Sequence, residues 1–188
     1  MRKEAEKVKI GAWSKRRTED PRLRRAVRGD AGAIAELLRE QYGLLRKYLL
    51  KLCLSGPLAE DLAQETMIRA VESIGRFRGE SAFSTWLLAI ATRVYLDEKR
   101  RETRRDRRQS AYAEAERMKL AHSYPELRLE LLEALAALPD EQRAAVLLKH
   151  YYGYSYEEIG KLSGVAAGTA KSRVHHGLAK LRKELTEE

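Results

Sequence analysis

Between Tyr154 and Leu185 the chain reads YSYEEIGKLSGVAAGTAKSRVHHGLAKLRKEL, a stretch that admits few folds. Ser155 followed by Glu158 is a capping box that opens a helix, and Ile159 and Leu162 supply its apolar face. Ser163-Gly164 breaks the pattern, and Gly164 can take the positive φ that a tight inter-helix turn requires. Val165 then plugs the gap between two helices, the second opened by Gly168 or Thr169. Ala170, Val174, Leu178, Leu181 and Leu185 form one apolar stripe on that second helix. Gly168, Thr169, Ser172, His175 and His176 fall on the opposite side, with Lys171 and Arg173 on the flanks. This is the pattern of a helix-turn-helix with a basic second helix, which lays that helix in the DNA major groove. Outward residues then reach base edges and flanking cations reach phosphates. The competing reading is a solvated amphipathic helix in an ordinary bundle. His175 and His176 point about 100° apart on a helix and make a poor metal-chelating pair.

The overall charge agrees with a polyanionic partner. Lys and Arg number 37 against 28 Asp and Glu, a net of +9. The single cysteine, Cys53, precludes an intrachain disulfide and sits in the apolar LLKLCL stretch, as a core residue would. With no secretory signal and no long apolar run, a cytoplasmic protein without its own membrane insertion is expected. Four prolines and few β-branched runs favour an all-α fold.

The pattern divides into two small helical domains joined by a polar linker. Residues 1–20 are highly charged and read as a flexible arm, with Trp13 as its one large apolar residue. Residues 21–103 form a first helical domain. Gly29-Asp30 marks a helix start, and Ile34, Leu37, Leu38, Leu44, Leu45, Tyr48, Leu49 and Leu52 provide its core. Ser55-Gly56-Pro57 breaks the chain, with Pro57 suited to the first turn of the next helix. Residues 104–125 carry charge of both signs and few large apolar residues, as a linker does. Residues 126–188 hold Leu127, Leu131, Leu132, Leu135 and Leu138, a stop at Pro139-Asp140, a helix from about Glu141 to Tyr151, and the helix-turn-helix.

Two surfaces of the first domain are unusual. On the helix beginning at Pro57, Leu62, Ala63, Thr66, Met67, Ala70 and Ile74 share one face. Asp61, Gln64, Glu65, Ile68 and Glu72 share the other. An apolar side chain ringed by carboxylates suits a basic protein partner, although one stray apolar residue on a solvated face is common. Next, RFRGESAFSTWL interleaves Phe77, Phe83 and Trp86 with Arg76 and Arg78 around Gly79, and Ser84 is placed to cap the following helix. Aromatics beside arginines can stack unpaired bases and hold their phosphates. The same rings can equally be core, and Phe83 shares a stripe with Leu87, Ile90 and Val94. The charge run DEKRRETRRDRR, from Asp97, follows directly and would contact a nucleic-acid backbone.

Together DLAQETMIRA (61–70), FRGESAFSTWLLAIATRVYLDEKRR (77–101), ALPDEQRAAVLLKHYYGYSYEEIG (137–160) and GTAKSRVHHGLAKLR (168–182) resemble an RNA polymerase sigma factor of the extracytoplasmic-function type. The resemblance spans about Val27 to Leu185. It implies an alternative sigma factor that binds core RNA polymerase through its β′ clamp helices and β flap, melts promoter DNA and directs initiation. Asp61, Gln64 and Glu65, with Ile68 and Glu72 beside them, would face the β′ clamp. Arg76, Phe77, Arg78, Gly79, Glu80, Ser81, Trp86, Asp97, Arg100 and Arg101 would read the minus-ten element, the loop from Arg78 to Ser81 holding a flipped-out base. Gly168, Thr169, Lys171, Ser172, Arg173, His175 and His176 would read the minus-thirty-five element as duplex. His175-His176 departs from the arginine-rich or aromatic residues common there, so promoter choice is expected to be idiosyncratic. The resemblance further implies an anti-sigma partner, and no cofactor is expected. A stand-alone helix-turn-helix regulator is the alternative. A nucleic-acid enzyme is disfavoured by the absence of a metal-ligand cluster, a P-loop or a nucleophile with a base at motif spacing.

Overall fold

The computed structural model describes residues 20–102, 110–124 and 128–186, and nine α-helices joined by turns lie among these described residues. The arm carrying Trp13, the charge run from 103 to 109, Leu127 and the Leu185 side chain lie outside the described part.

Asp20 caps α1 (Pro21–Val27) by accepting the Arg22 amide, and Asp30 caps α2 (Ala31–Cys53) by accepting the Ala33 amide, as the Gly29-Asp30 signal predicts. Ser55 caps α3 (Gly56–Ser73), whose first turn holds Pro57. A single 3₁₀ turn, Ile74–Arg76, leads into the loop before α4 (Phe83–Glu102). Ser84 does not cap α4. It is buried in the first turn, and the Ala82 carbonyl accepts the Trp86 amide instead. The aromatic cluster holds Phe83 inward, and the helix starts two residues earlier than a Ser84 cap would place it.

The stretch expected to be a linker contains a helix, α5 (Ser110–Ser123). Leu120 is buried in the common core, and the Arg46 guanidinium lies 5.2 Å from the centre of the Tyr124 ring. Among the described residues Leu120, Ala121 and Tyr124 dock a helix that carries too few large apolar residues to show a stripe. Next come α6 (Leu129–Ala136), α7 (Asp140–Val146) and a π-helical turn, Leu147–Tyr151. The helix read from Glu141 to Tyr151 is therefore present, but its second half is wound more loosely.

The capping box of α8 (Tyr156–Ser163) is fully formed. The Glu158 amide donates to Ser155 Oγ at 3.2 Å, and the Ser155 amide donates to Glu158 Oε2 at 2.8 Å. Gly164 closes the helix at φ 69°, and α9 (Ala167–Thr186) follows. Gly160 makes the turn possible. A Cβ there would sit 2.7 Å from the Val165 carbonyl oxygen, so only glycine lets the turn fold back onto α8. Ala170 and Val174 are buried against it, with Leu178 and Leu181 partly so.

The two helical units do not stand apart. A single apolar cluster runs from Leu23 through Tyr48, Leu88 and Tyr95 to Leu148, Ile159 and Val174. The Tyr152 ring meets Tyr48 edge-on at 5.3 Å, and the Thr85 and Tyr154 hydroxyls lie 3.2 Å apart. Arg93 donates to the Lys161 carbonyl at 3.2 Å. Cys53 is buried in this core, as its apolar neighbours predict, and burial pushes its thiol up to about 12.

Candidate nucleic-acid and polymerase interfaces

The inner face of α3 is set by Leu62, Ala63, Thr66 and Ala70, all buried, and Ile74 continues it into the 3₁₀ turn. Thr66 satisfies its hydroxyl by donating to the Leu62 carbonyl at 2.6 Å. This fixes the outward face. Asp61, Gln64 and Glu72 are exposed, Glu65 is half-exposed, and Ile68 stands 55 % exposed among them. Val71, three residues on, is 49 % exposed and extends the apolar patch. Sequence reasoning missed Val71, though its i, i+3 spacing from Ile68 was the available signal. Glu65 pairs with Arg69 at 2.7 Å, Arg69 reaches Asp97 at 4.0 Å, and Asp97 accepts from Arg100 at 3.0 Å. A chain of charges thus joins the acidic face of α3 to the basic end of α4.

The loop between the 3₁₀ turn and α4 presents Arg76, Arg78 and Glu80 to solvent, with Gly79 at φ 68° and Ser81 half-buried. Phe77 is not available for stacking as the sequence suggested. It is 8 % exposed and packs edge-on against Phe83 at 6.0 Å and tilted against Trp86 at 5.4 Å. Burying Phe77 and Phe83 anchors the loop, and Trp86 remains the half-buried member of the triad. Arg100 and Arg101 are exposed on the last turns of α4, each paired within its own helix, to Asp97 and Glu98.

On α9, Gly168, Thr169, Lys171, Ser172, His175 and His176 are exposed, and Arg173 is half-buried on the flank. The His175 and His176 ring centres lie 5.8 Å apart, and no group of three or more potential metal ligands occurs among the described residues. The three surfaces therefore stay open in the packed arrangement, while the contact between the halves is made by other residues.

Comparison with known proteins decides the assignment. Residues 37–105 match the family model for Sigma-70 region 2, and residues 128–181 match that for Sigma-70, region 4. The chain belongs to the extracytoplasmic-function RNA polymerase sigma factors. Among relatives, this sigma factor is 35 % identical over 165 residues to RNA polymerase sigma factor CarQ of Myxococcus xanthus, covering 85 % of this chain and 92 % of CarQ. It is 39 % identical over 166 residues to ECF RNA polymerase sigma factor SigE of Mycolicibacterium smegmatis, covering 82 % of this chain and 63 % of SigE. The fold matches that of CnrH in its complex with the cytosolic domain of CnrY, with a TM-score of 0.65 at 20 % identity, over 89 % of this chain and 96 % of CnrH. It also matches the Bartonella quintana sigma factor RpoE solved with the anti-sigma factor NepR, with a TM-score of 0.62 at 23 % identity, over 80 % and 95 % of the two chains. Sigma factors bind core RNA polymerase, recognise promoter DNA and direct transcription initiation, and this chain is one. No described helix is long and apolar enough to cross a membrane.

Proposed function

We propose that this sigma factor engages the β′ clamp helices of core polymerase through Asp61, Gln64, Glu65, Ile68 and Glu72, extended by Val71. The exposure of Ile68 and Val71 within an acidic rim on a net-basic chain carries this reading, because an apolar patch ringed by one charge sign suits a partner of the opposite sign. Arg76, Arg78, Gly79, Glu80, Ser81 and Trp86, with Asp97, Arg100 and Arg101 behind them, read the minus-ten element. Phe77 supports the loop from beneath. Gly168, Thr169, Lys171, Ser172, Arg173, His175 and His176 read the minus-thirty-five element. An anti-sigma factor holds the protein inactive, it acts in the cytoplasm, and it catalyses no reaction of its own.

The packed arrangement cannot serve both elements at once. The two elements lie about 25 base pairs apart, or roughly 85 Å at about 3.4 Å per pair. A compact chain of 188 residues has a radius of gyration of only about 16 Å, hence a diameter near 40 Å. The halves therefore separate when the protein initiates transcription, and α5 undocks with them. Roughly 25 residues join α4 to α6 and reach about 85 Å only when extended. Run-off transcription with purified core polymerase tests the reading. A promoter-dependent transcript is expected, and the absence of both transcript and core binding would refute it.

A further inference from the structure

The apolar stripe of α9 has a gap. Ala170, Val174, Leu178 and Leu181 line it, and Gly177 is buried among them with no side chain to pack. Glycine is the least favourable residue in a helix interior after proline, so a buried one needs a reason. The gap is filled from α7. A Cβ at Gly177 would sit 2.6 Å from Val146 Cγ2 and 3.5 Å from both the Cβ and the carbonyl oxygen of Gln142. Gly168, in the first turn of α9, has nothing within 4 Å of such an atom, so of the two glycines Gly177 alone marks a close approach. Val146 is buried, and its branched side chain has little freedom to turn away. α7 itself is fixed, because Arg143 donates to the carbonyls of Leu135 and Leu138 within the same half of the molecule. The separation of α7 and α9 is therefore set by a methyl group of Val146 seated on bare helix backbone.

We infer that Gly177 is a positioning residue for minus-thirty-five recognition: it lets α9 lie close against α7 and so sets which base edges His175 and His176 reach. This role rests on the proposed minus-thirty-five reading by α9 and deepens it. His175 and His176 are exposed and directly precede Gly177, so they move with it. The other end of α9 is pinned by the turn, where the Val165 amide donates to the Gly160 carbonyl at 2.9 Å and Ala170 is fully buried. A methyl group added at Gly177 would regain ordinary contact only by a shift of about 1 Å, since carbon atoms rest roughly 3.5–4 Å apart. α9 would pivot about its pinned end. At about 1.5 Å per residue, His175 and His176 lie about 12–14 Å along the helix from Ala167, and Thr169 only about 3 Å. The histidines would take most of the shift, and Thr169 about a fifth of it. A shift near 1 Å carries a hydrogen bond of about 2.9 Å to a base edge out of range, whereas one near 0.2 Å does not.

The test uses holoenzyme reconstituted with core RNA polymerase and a pool of promoter duplexes randomised through the minus-thirty-five element. Gly177→Ala should lose about tenfold of its preference at the bases whose selection is also lost when His175 and His176 are replaced by alanine, the order of one missing base-edge contact. Preference at the other positions of the element should remain. Core affinity and the slope of log affinity against log salt should keep their wild-type values. Adding Val146→Ala to Gly177→Ala removes the obstructing methyl group and should restore the lost preference. Wild-type selection by Gly177→Ala would overturn the inference and leave the minus-thirty-five reading intact. So would preferences that survive replacement of both histidines, an equal loss at every position, or a loss that Val146→Ala does not repair. Wild-type holoenzyme that selects no minus-thirty-five sequence would overturn both.

Discussion

Arg143, on α7, donates a 2.8 Å hydrogen bond to the carbonyl of Leu52, in the last turn of α2. Arg143 is 7 % exposed, and its guanidinium also donates to the carbonyls of Leu135 and Leu138 and to the Tyr95 hydroxyl. Asp140 lies 3.4 Å from it and accepts from the same Tyr95 hydroxyl. One buried cation thus satisfies an otherwise orphaned helix-end carbonyl of the other half of the molecule. Tyr95, on α4, is the hinge of this polar cluster. Tyr95→Phe keeps the ring and removes two hydrogen bonds between the halves. Each is worth about 1 kcal/mol, more where a charge takes part. The variant should populate the open form, seen by small-angle scattering as a larger radius of gyration, with secondary structure intact. An unchanged radius would show that apolar packing alone keeps the halves together.

Tyr152 should act in the opposite direction. Its ring is buried between the halves, yet its hydroxyl has no hydrogen-bond partner among the described residues, and burial raises its pKa well above the ordinary tyrosine value. A buried hydroxyl left unsatisfied costs about 1–3 kcal/mol, which is recovered when the halves part and water reaches it. Tyr152→Phe removes that cost. It should raise the denaturation midpoint, by an amount on the order of 1 kcal/mol, and slow association with core polymerase. Lower stability would place an unseen partner on the hydroxyl.

Cys53 reports on the same opening. Its thiol is buried next to Leu52 and raised to about 12, so at pH 8 almost none is thiolate. When the cover of α7 is removed, the pKa falls toward about 8.5 and the thiolate fraction rises. Iodoacetamide labelling at pH 8 should be slow in the free protein, faster in Tyr95→Phe and faster again with core polymerase bound. Equal rates in all three would show that Cys53 is shielded by α2 and α4 rather than by the packing between the halves.

The parts that were legible in the sequence are those fixed by local chemistry. Ser155-Glu158, Gly164, Asp30 and Pro57 each act within four residues, and each marks the boundary it signals. The alternation of faces on α3 was legible because Thr66 and Ala70 leave no doubt about which side is buried. What was not legible depends on partners far along the chain. Arg143 looks like one of many surface arginines until Leu52, ninety-one residues away, is placed beside it. Phe77 could stack on a base or on Phe83, and only the fold decides. α5 shows almost no stripe because, among the described residues, its anchor is Leu120 with Ala121 and Tyr124 beside it.

Ile68 and Val71 should behave as binding residues that contribute nothing to folding. Both are about half exposed and distant from the buried face of α3. Replacing both by serine should leave thermal stability within about 0.5 kcal/mol of wild type, as exposed substitutions usually do. The same change should weaken core binding by at least about tenfold, since apolar anchors at an interface centre carry much of its energy. Unchanged affinity in a direct titration against core polymerase would move the polymerase contact off α3.

Gly160→Ala should separate folding of the helix-turn-helix from chemistry at its surface. The added methyl would meet a backbone carbonyl at 2.7 Å, and a backbone atom cannot swing aside as a side chain can. The Val165 amide donates to the Gly160 carbonyl at 2.9 Å, so the turn that must shift is also the one that is hydrogen-bonded. The variant should lose minus-thirty-five binding through a displaced α9 while core binding through α3 persists. Wild-type affinity for duplex promoter would show that the turn relaxes without moving α9.

Lys171, His175 and His176 should fail in different ways, which separates affinity from choice. All three are exposed on α9. Lys171 on the flank suits a phosphate, and its removal should weaken all duplexes alike and reduce the salt slope by about 0.9. His175 and His176 point across the outward face, where side chains meet base edges, and neither needs to be charged to donate or accept there. Replacing the pair by alanine should change which minus-thirty-five sequences are selected from a randomised duplex pool, each discriminated base losing about 1–3 kcal/mol of preference. The salt slope should stay near the wild-type value. Selection of the same sequences, with only a uniform loss of affinity, would place the histidines on the backbone and leave Thr169 and Ser172 to read the element.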